Sequence, residues 1–597
     1  MNEQSLHTFH IPVMGIAYTI DTPIKVASYG ITSALSIVED NLIEVMRKVY
    51  YKKNNETYIP ITTRDKDYRA KRISDYLNLV NKNVKKSLEE LRNSSFEVGS
   101  ELVKYFEMLP NGNDLKKKYL EFKSTIEPEK KRSIEAELRQ EVKAGAIEVN
   151  IMTKVDREIL DKSGNPIPNH SDALTALKGY AQSDLDDSAV IFSAGMNPRL
   201  FNYLESFREF DAQGWGKFKK RIALKVSDFR SALIQGKYLA KKGIWVSEFR
   251  IESGLNCGGH AFATQGVLMG PILEEFKARK NELQESLFEI YNKSIQAIGL
   301  KSFNKPHPIK ITAQGGIGTY EEDQFLHNYY KVDSTGWGTP FLLCPEATTV
   351  EDHTLEVLQK SRDEDVVLSE SSPLGVSFNY LKGTSSEKER LKRIAKNKPG
   401  SSCPEKYLVS NTEFTKKPIC TASKKYQNLK LAQLESAQLP EAEYEKRKNE
   451  VLEKECLCIG LSNSAPIQYK EKFVKNQEAV TICPGPNIAN FTKKVSLQEM
   501  VGHIYGWGNI INRNDRPNMF AKELELYVDY IKKQISEIVT PDQKTIKGYQ
   551  KFCDNLLEGI EYYKGLLSEH YLSNADQFRK ILLNSEGEIS LLKEKLA

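Results

Sequence analysis

Apolar residues in this chain gather in short runs separated by longer, charged amphipathic stretches, a rhythm that suits strands each followed by a helix. The runs are Ile11-Pro12-Val13-Met14, Ser33-Ala34-Leu35-Ser36-Ile37, Glu148-Val149-Asn150-Ile151-Met152, Ala189-Val190-Ile191-Phe192-Ser193, Arg221-Ile222-Ala223-Leu224-Lys225-Val226, Ile244-Trp245-Val246, Ile309-Lys310-Ile311-Thr312 and Val332-Asp333-Ser334-Thr335-Gly336. After the first, Asp21-Thr22-Pro23 opens a helix, because Asp or Thr can cap and Pro fits the first turn. Such alternation places the fold in the α/β class and predicts a (β/α)8 TIM barrel completed by about residue 340. From about 41 to 143 the pattern is charged and helical, as in Asp114-Leu115-Lys116-Lys117-Lys118-Tyr119-Leu120, and reads as an inserted helical subdomain outside the barrel layer. The predicted division is a barrel over 1–355, an irregular, partly helical, cysteine-containing extension over 356–490 and a mainly helical C-terminal region over 491–597. Glu441 to Glu455 carries a charged helical pattern, and Glu523-Leu524-Glu525-Leu526-Tyr527-Val528-Asp529-Tyr530-Ile531 is amphipathic.

Length and charge narrow the class. At 597 residues the chain exceeds one barrel of about 250, so the insertion and extension are expected. Lys+Arg 85 against Asp+Glu 80 leaves +5, too mild a balance to argue for nucleic acid or an anionic membrane. No apolar run approaches the roughly 18 residues that span a bilayer, and Met1-Asn2-Glu3-Gln4-Ser5 lacks the basic-then-apolar pattern of a signal peptide. A cytoplasmic protein is expected, its eight cysteines thiols or ligands and not a disulfide scaffold.

Two glycine pairs carry the candidate chemistry. Gly258-Gly259-His260 follows the sixth run and Gln314-Gly315-Gly316-Ile317-Gly318-Thr319 the seventh, each at the strand end where a parallel barrel keeps its site. Without a Cβ, such glycines let backbone N–H groups close on an oxyanion such as a phosphate. His260 stands beside the first pair, and a histidine is a side chain that can exchange a proton near neutral pH. Taken alone, the glycines need only shape turns.

Four loops together carry a resemblance: Ser193-Ala194-Gly195-Met196-Asn197-Pro198, Glu252-Ser253-Gly254-Leu255-Asn256-Cys257-Gly258-Gly259-His260, Ala313-Gln314-Gly315-Gly316-Ile317 and Gly336-Trp337-Gly338-Thr339-Pro340-Phe341-Leu342-Leu343-Cys344-Pro345-Glu346. In order and approximate spacing, residues 8 to 355 resemble the nitronate monooxygenase and flavin-dependent enoyl reductase family of FMN barrels. The resemblance implies FMN, its phosphate on Gly315, Gly316, Gly338 and Thr339, with Gly258 and Gly259 beside it. It also implies that Asn150 faces the flavin ring and that His260 acts on substrate as a proton-transfer group. Lys225, inside an apolar strand, needs a negative partner: a reduced flavin or an ordinary buried ion pair both serve. The chain departs from the family after the first strand, where Gly15-Ile16-Ala17-Tyr18 stands in place of a Gln and a Met, and at Asn256 and Cys257, so a changed substrate is expected.

Beyond the barrel, Cys403, Cys420, Cys456, Cys458 and Cys483 invite a zinc or iron–sulfur reading, against which stands the lack of any Cys-x-x-Cys spacing. Against a metal centre stands the reading of these residues as buried apolar cysteines, which are common in cores. Three functions remain open: an FMN-dependent oxidoreductase acting on a small carbon acid or an unsaturated acyl compound, a flavoenzyme acting on RNA or an acyl carrier protein, and a non-catalytic flavin-binding scaffold. The electron partner is open between NAD(P)H and O2, and a homo-oligomer is open too.

Overall fold

The computed structural model describes every residue except 1–5, 152–155, 162, 194, 402–403, 475–476, 538–541, 571, 573 and 597. Met152, Ala194 and Cys403, named above, lie outside the described residues.

Eight strands close into a parallel barrel: β1 Phe9–Ile11, β2 Thr32–Ser36, β3 Ile147–Ile151, β4 Ser188–Phe192, β5 Lys220–Val226, β6 Val246–Glu252, β7 Lys310–Gln314 and β8 Ser334–Gly336. Neighbours in sequence are neighbours in the sheet, and β8 closes on β1 through Phe9 opposite Thr335 and His10 opposite Gly336. The expected α/β barrel is therefore the fold, and each predicted run overlaps its strand. The sixth overlaps only at Val246, because Glu248, Arg250 and Glu252 interrupt the apolar run.

Those interruptions follow from alternation in an extended strand. Phe249 points outward to the helix Phe229–Ala240, where a Cβ on Gly236 would come within 3.2 Å of its ring. Glu248, Arg250 and Glu252 turn inward. The interior is thus polar where many barrels stack aliphatic layers. Arg250, 1% exposed, donates through Nε to Glu248 at 2.7 Å and through Nη2 to both oxygens of Glu148 at 3.1 Å. Thr312 adds a hydrogen bond to Glu248 at 2.7 Å. Burial opposes ionisation of Glu248, but the Arg250 charge and the hydrogen bonds from Thr312 and Arg250 together outweigh it and hold the carboxyl down at about 2. Burial, reinforced by Arg250, lowers His10 to about 3, so its ring stays neutral.

Outside the barrel, the insertion divides. The helices Asp40–Lys53 and Tyr68–Asn93 bury Met46, Ile73, Tyr76, Leu77 and Val80 in the core shared with the strands, so this part belongs to the outer helical ring. A Cβ on Gly179 would lie 2.7 Å from the Ala70 carbonyl, which shows how closely the helix Asp172–Ala181 packs there. Only the later helices, over Glu101–Met108, Asp114–Ser124 and Pro128–Glu141, form a separate small core around Phe106, Tyr119 and Leu138. The expectation that the whole insertion stands outside the barrel layer is corrected: the apolar stripe of the Tyr68–Asn93 helix has the barrel to cover it. C-terminal helices Met519–Ser536, Gln543–Glu569 and Ala575–Leu596 share the barrel core as well, with Tyr563 seated on Gly270. No described helix is long and apolar enough to cross a membrane.

Replacing Arg250 with Met strands two buried carboxylates. Stability should fall by about 3–5 kcal/mol, read as a lower urea midpoint; an unchanged midpoint would remove the network from the list of supports of the barrel.

Candidate functional site

The C-terminal ends of the strands surround a cavity of about 300 Å³, within the range of small-ligand sites. Its floor is built from strand ends: Asn150 of β3, Lys225 of β5, Glu252 of β6 and Gln314 of β7. Lys225 donates to Glu252 at 2.9 Å, and Gln314 donates to the same carboxylate, so the lysine finds its counter-charge in the protein. This is the ordinary ion pair, made because alternation puts residues 225 and 252 on the same inner face of adjacent strands. The Oδ1 of Asn150 is buried and has no hydrogen-bond partner among the described residues.

The loop after β7 makes one wall. Gly315 and Gly316 adopt φ of +125° and +73°, and a Cβ on Gly316 would fall 2.0 Å from Asn256 Nδ2. Both left-handed backbone and lack of space therefore demand glycine at 316. The loop then runs into the helix Tyr320–Asn328 through a capping box between Thr319 and Glu322. The N–H groups of Gly316 and Ile317 donate to no group among the described residues. Across the mouth, Thr339 Oγ1 accepts from the Gly485 N–H at 2.9 Å, leaving its own proton to donate. Gly338 lines the same wall. Free amide donors at one side and the Asn150 oxygen on the floor suit a ligand with an anionic end and a ring edge bearing N–H.

Gly258 and Gly259 line the cavity for a different reason. A Cβ on Gly258 would meet the Cys483 carbonyl at 2.5 Å, and the Gly259 N–H donates to that carbonyl at 3.1 Å. What approaches this pair is the chain's own strap over 483–485, so the expected oxyanion contact from the Gly259 amide is corrected.

His260 sits on the cavity wall, half-buried. Its Nε2 is 2.7 Å from Ser372 Oγ, and its ring meets Phe378 edge-on at 5.0 Å. Ser372 is fully buried, and its own position is fixed by Lys454, which donates to the Ser372 carbonyl at 3.2 Å. These partners, with Leu374, Tyr407, Leu408 and Leu461, roof the mouth from the extension. No local spacing marked them in the sequence, and only the apolar character of an otherwise irregular segment hinted at burial. The divergent loop after β1 joins this roof: the Ala17 N–H donates to the Leu461 carbonyl at 3.0 Å.

The cysteines are scattered among these surfaces. Cys420 and Cys458 pack with Tyr407, Leu408 and Ala422, Cys458 and Cys483 also line the cavity, Cys456 is half-buried, and Cys403 lies outside the described residues. Burial pushes Cys483 up to about 12 and raises Cys257 further, so both are neutral thiols. Among the described residues no group of three or more His, Cys, Asp or Glu is arranged to hold a metal, and nothing there supports zinc or an iron–sulfur centre.

One further buried acid supports the β6 loop. Glu523, 2% exposed, accepts from Ser253 Oγ at 2.5 Å and from the Met269 N–H at 2.9 Å. Burial outweighs these donors and raises its pKa to about 7.

No protein-family model matches the chain, and no curated protein matches it. Among solved structures, FabK from Thermotoga maritima is similar at 13% identity and a TM-score of 0.30, over 70% of this chain and 86% of that one. The enoyl reductase domain of MlnA from the macrolactin biosynthesis cluster of Bacillus amyloliquefaciens is similar at 15% identity and a TM-score of 0.32, over 69% and 89%. Likeness at that level carries no inference about activity, and the barrel rests on its own strand pairing.

The raised Glu523 favours the protonated fold, so its stabilising effect is complete below about pH 4.5 and is lost as pH rises through about 7. Wild-type stability should decline by about 3 kcal/mol over that window from this group. Glu523→Gln should flatten the decline, matching wild type near pH 5 and exceeding it at pH 8 in denaturant titrations; parallel curves for the two proteins would refute the assignment.

Proposed function

We propose that the chain is an FMN-dependent oxidoreductase of the nitronate monooxygenase or enoyl reductase type, acting on a small carbon acid or an unsaturated acyl compound. The observation that carries this reading is the convergence on one cavity of groups without a partner among the described residues: the amides of Gly316 and Ile317 on the wall and the Asn150 oxygen on the floor. A dianionic phosphate takes converging N–H donors, and a flavin's pyrimidine edge takes an amide oxygen. The same loops carry the resemblance to the FMN barrels. When bound, FMN supplies the exchange of two electrons with a substrate carbon.

The chain's own residues do the rest. Gly316, Ile317 and Thr339 bind the phosphate, Asn150 orients the ring edge, and the Lys225–Glu252 pair fixes Gln314 beside it. Ser372 holds one nitrogen of the His260 ring, so the imidazole is set against the cavity to exchange a proton with substrate. Leu374, Phe378, Leu408 and Leu461 line the roof with apolar surface that excludes water and receives the carbon portion of the substrate.

Purified protein should show flavin bands at roughly 370 and 450 nm, set by the flavin itself. Gly316→Val, folded by circular dichroism, should be colourless, and a variant that stays yellow would overturn the phosphate site. His260→Ala should keep its flavin and lose about a hundredfold in turnover. Full activity in that variant would take the imidazole out of the chemistry.

A further inference from the structure

Three successive carbonyls of the β7 loop are each held by a side chain from the far end of the sequence. The Gly316 oxygen accepts from Arg516 Nη2 at 2.7 Å, the Ile317 oxygen from Asn487 Nδ2 at 2.9 Å and the Gly318 oxygen from His503 Nε2 at 2.8 Å. Arg516 and Asn487 are themselves joined, Nε to Oδ1, at 3.1 Å. Arg516 lies flat against the loop: a Cβ on Gly318 would come within 2.5 Å of its Nη2. Its charge is met by Glu322, which takes Nη1 at 2.7 Å and Nη2 at 2.9 Å and also accepts the Gly318 N–H at 2.8 Å. The clamp is dry, Arg516 being 6% and Glu322 3% exposed.

From this geometry we propose that Arg516, supported by Asn487 and His503, is a positioning residue for the cofactor's phosphate; the inference rests on the FMN reading above. A trans peptide is planar, with C=O and N–H pointing in opposite directions. Fixing the Gly316 carbonyl on Arg516 therefore turns the Ile317 N–H, which has no partner among the described residues, away from the guanidinium and fixes its aim. The hydrogen bond from a cation also polarises that peptide, which strengthens its N–H as a donor to an anion. Arg516 thus acts on the phosphate through one peptide group without touching it. The Gly318 amide, spent on Glu322, is excluded from the grip, which leaves the Gly316 and Ile317 amides as the loop's donors. The second wall is set from the same region, since the Gly485 N–H occupies Thr339 Oγ1 and leaves the hydroxyl proton available.

FMN and riboflavin differ by the phosphate alone, so their two affinities separate this role from general support of the fold. Fluorescence titration of the flavin-free full chain should show that Arg516→Leu weakens FMN by about ten- to a hundredfold while riboflavin changes by less than about twofold, with Arg516→Lys recovering part of the loss. Equal losses for both flavins, or an unchanged FMN affinity, would overturn the proposal. Arg516→Lys, which keeps the positive charge beside Glu322 but not the flat guanidinium, should show a smaller loss with the same selectivity and serves if the leucine variant fails to fold. A wild type that binds both flavins equally would instead sink the phosphate reading itself.

Discussion

The carboxylate of Glu322 is the junction through which barrel and C-terminal region become one body. It closes the capping box of its own helix, accepts the Gly318 amide, pairs with Arg516 and accepts the Met519 N–H at 2.7 Å, which starts the helix Met519–Ser536. A buried carboxylate is costly unless its lone pairs are used and its charge is matched, and here both conditions are met by groups nearly 200 residues away. The loop at the cavity wall and the docking of the last helices consequently share one support. Loss of either partner leaves a charge in a dry place, which makes the arrangement all-or-none.

Charge is handled in layers through the barrel. Near the base, Arg250 binds both Glu148 and Glu248; at the mouth, Lys225 pairs with Glu252. Arg250 with Glu148 and Lys225 with Glu252 join inner-face residues of different strands, which the closed parallel sheet brings within reach, whereas Glu248 lies two residues from Arg250 on its own strand. At the mouth the Asn150 oxygen is buried without a partner among the described residues, where a ligand can meet it.

The barrel was legible because its strands are short apolar runs at helix-length intervals, and the glycine loops because Gly315 and Gly316 break the pattern at strand ends. Legibility failed wherever the partner is distant in sequence. Lys225 announced a need for a negative charge, but only strand pairing identifies Glu252. Gly258 announced a close approach, but nothing local says that the Cys483 carbonyl is what approaches. His260 was visible beside its glycines, whereas Ser372, 112 residues on, sits in a segment without periodicity. The insertion was misplaced in part because charge on the solvent face of Tyr68–Asn93 hides the stripe that covers the barrel.

The roof has a consequence for how the molecule is made. Ribosomal synthesis delivers all eight strands by residue 336, while Ser372, the strap over 483–485 and Arg516 emerge later. For that interval the nascent barrel stands with an uncovered mouth and an unclamped loop. Closure of the cavity is thereby the work of segments translated after the barrel is complete.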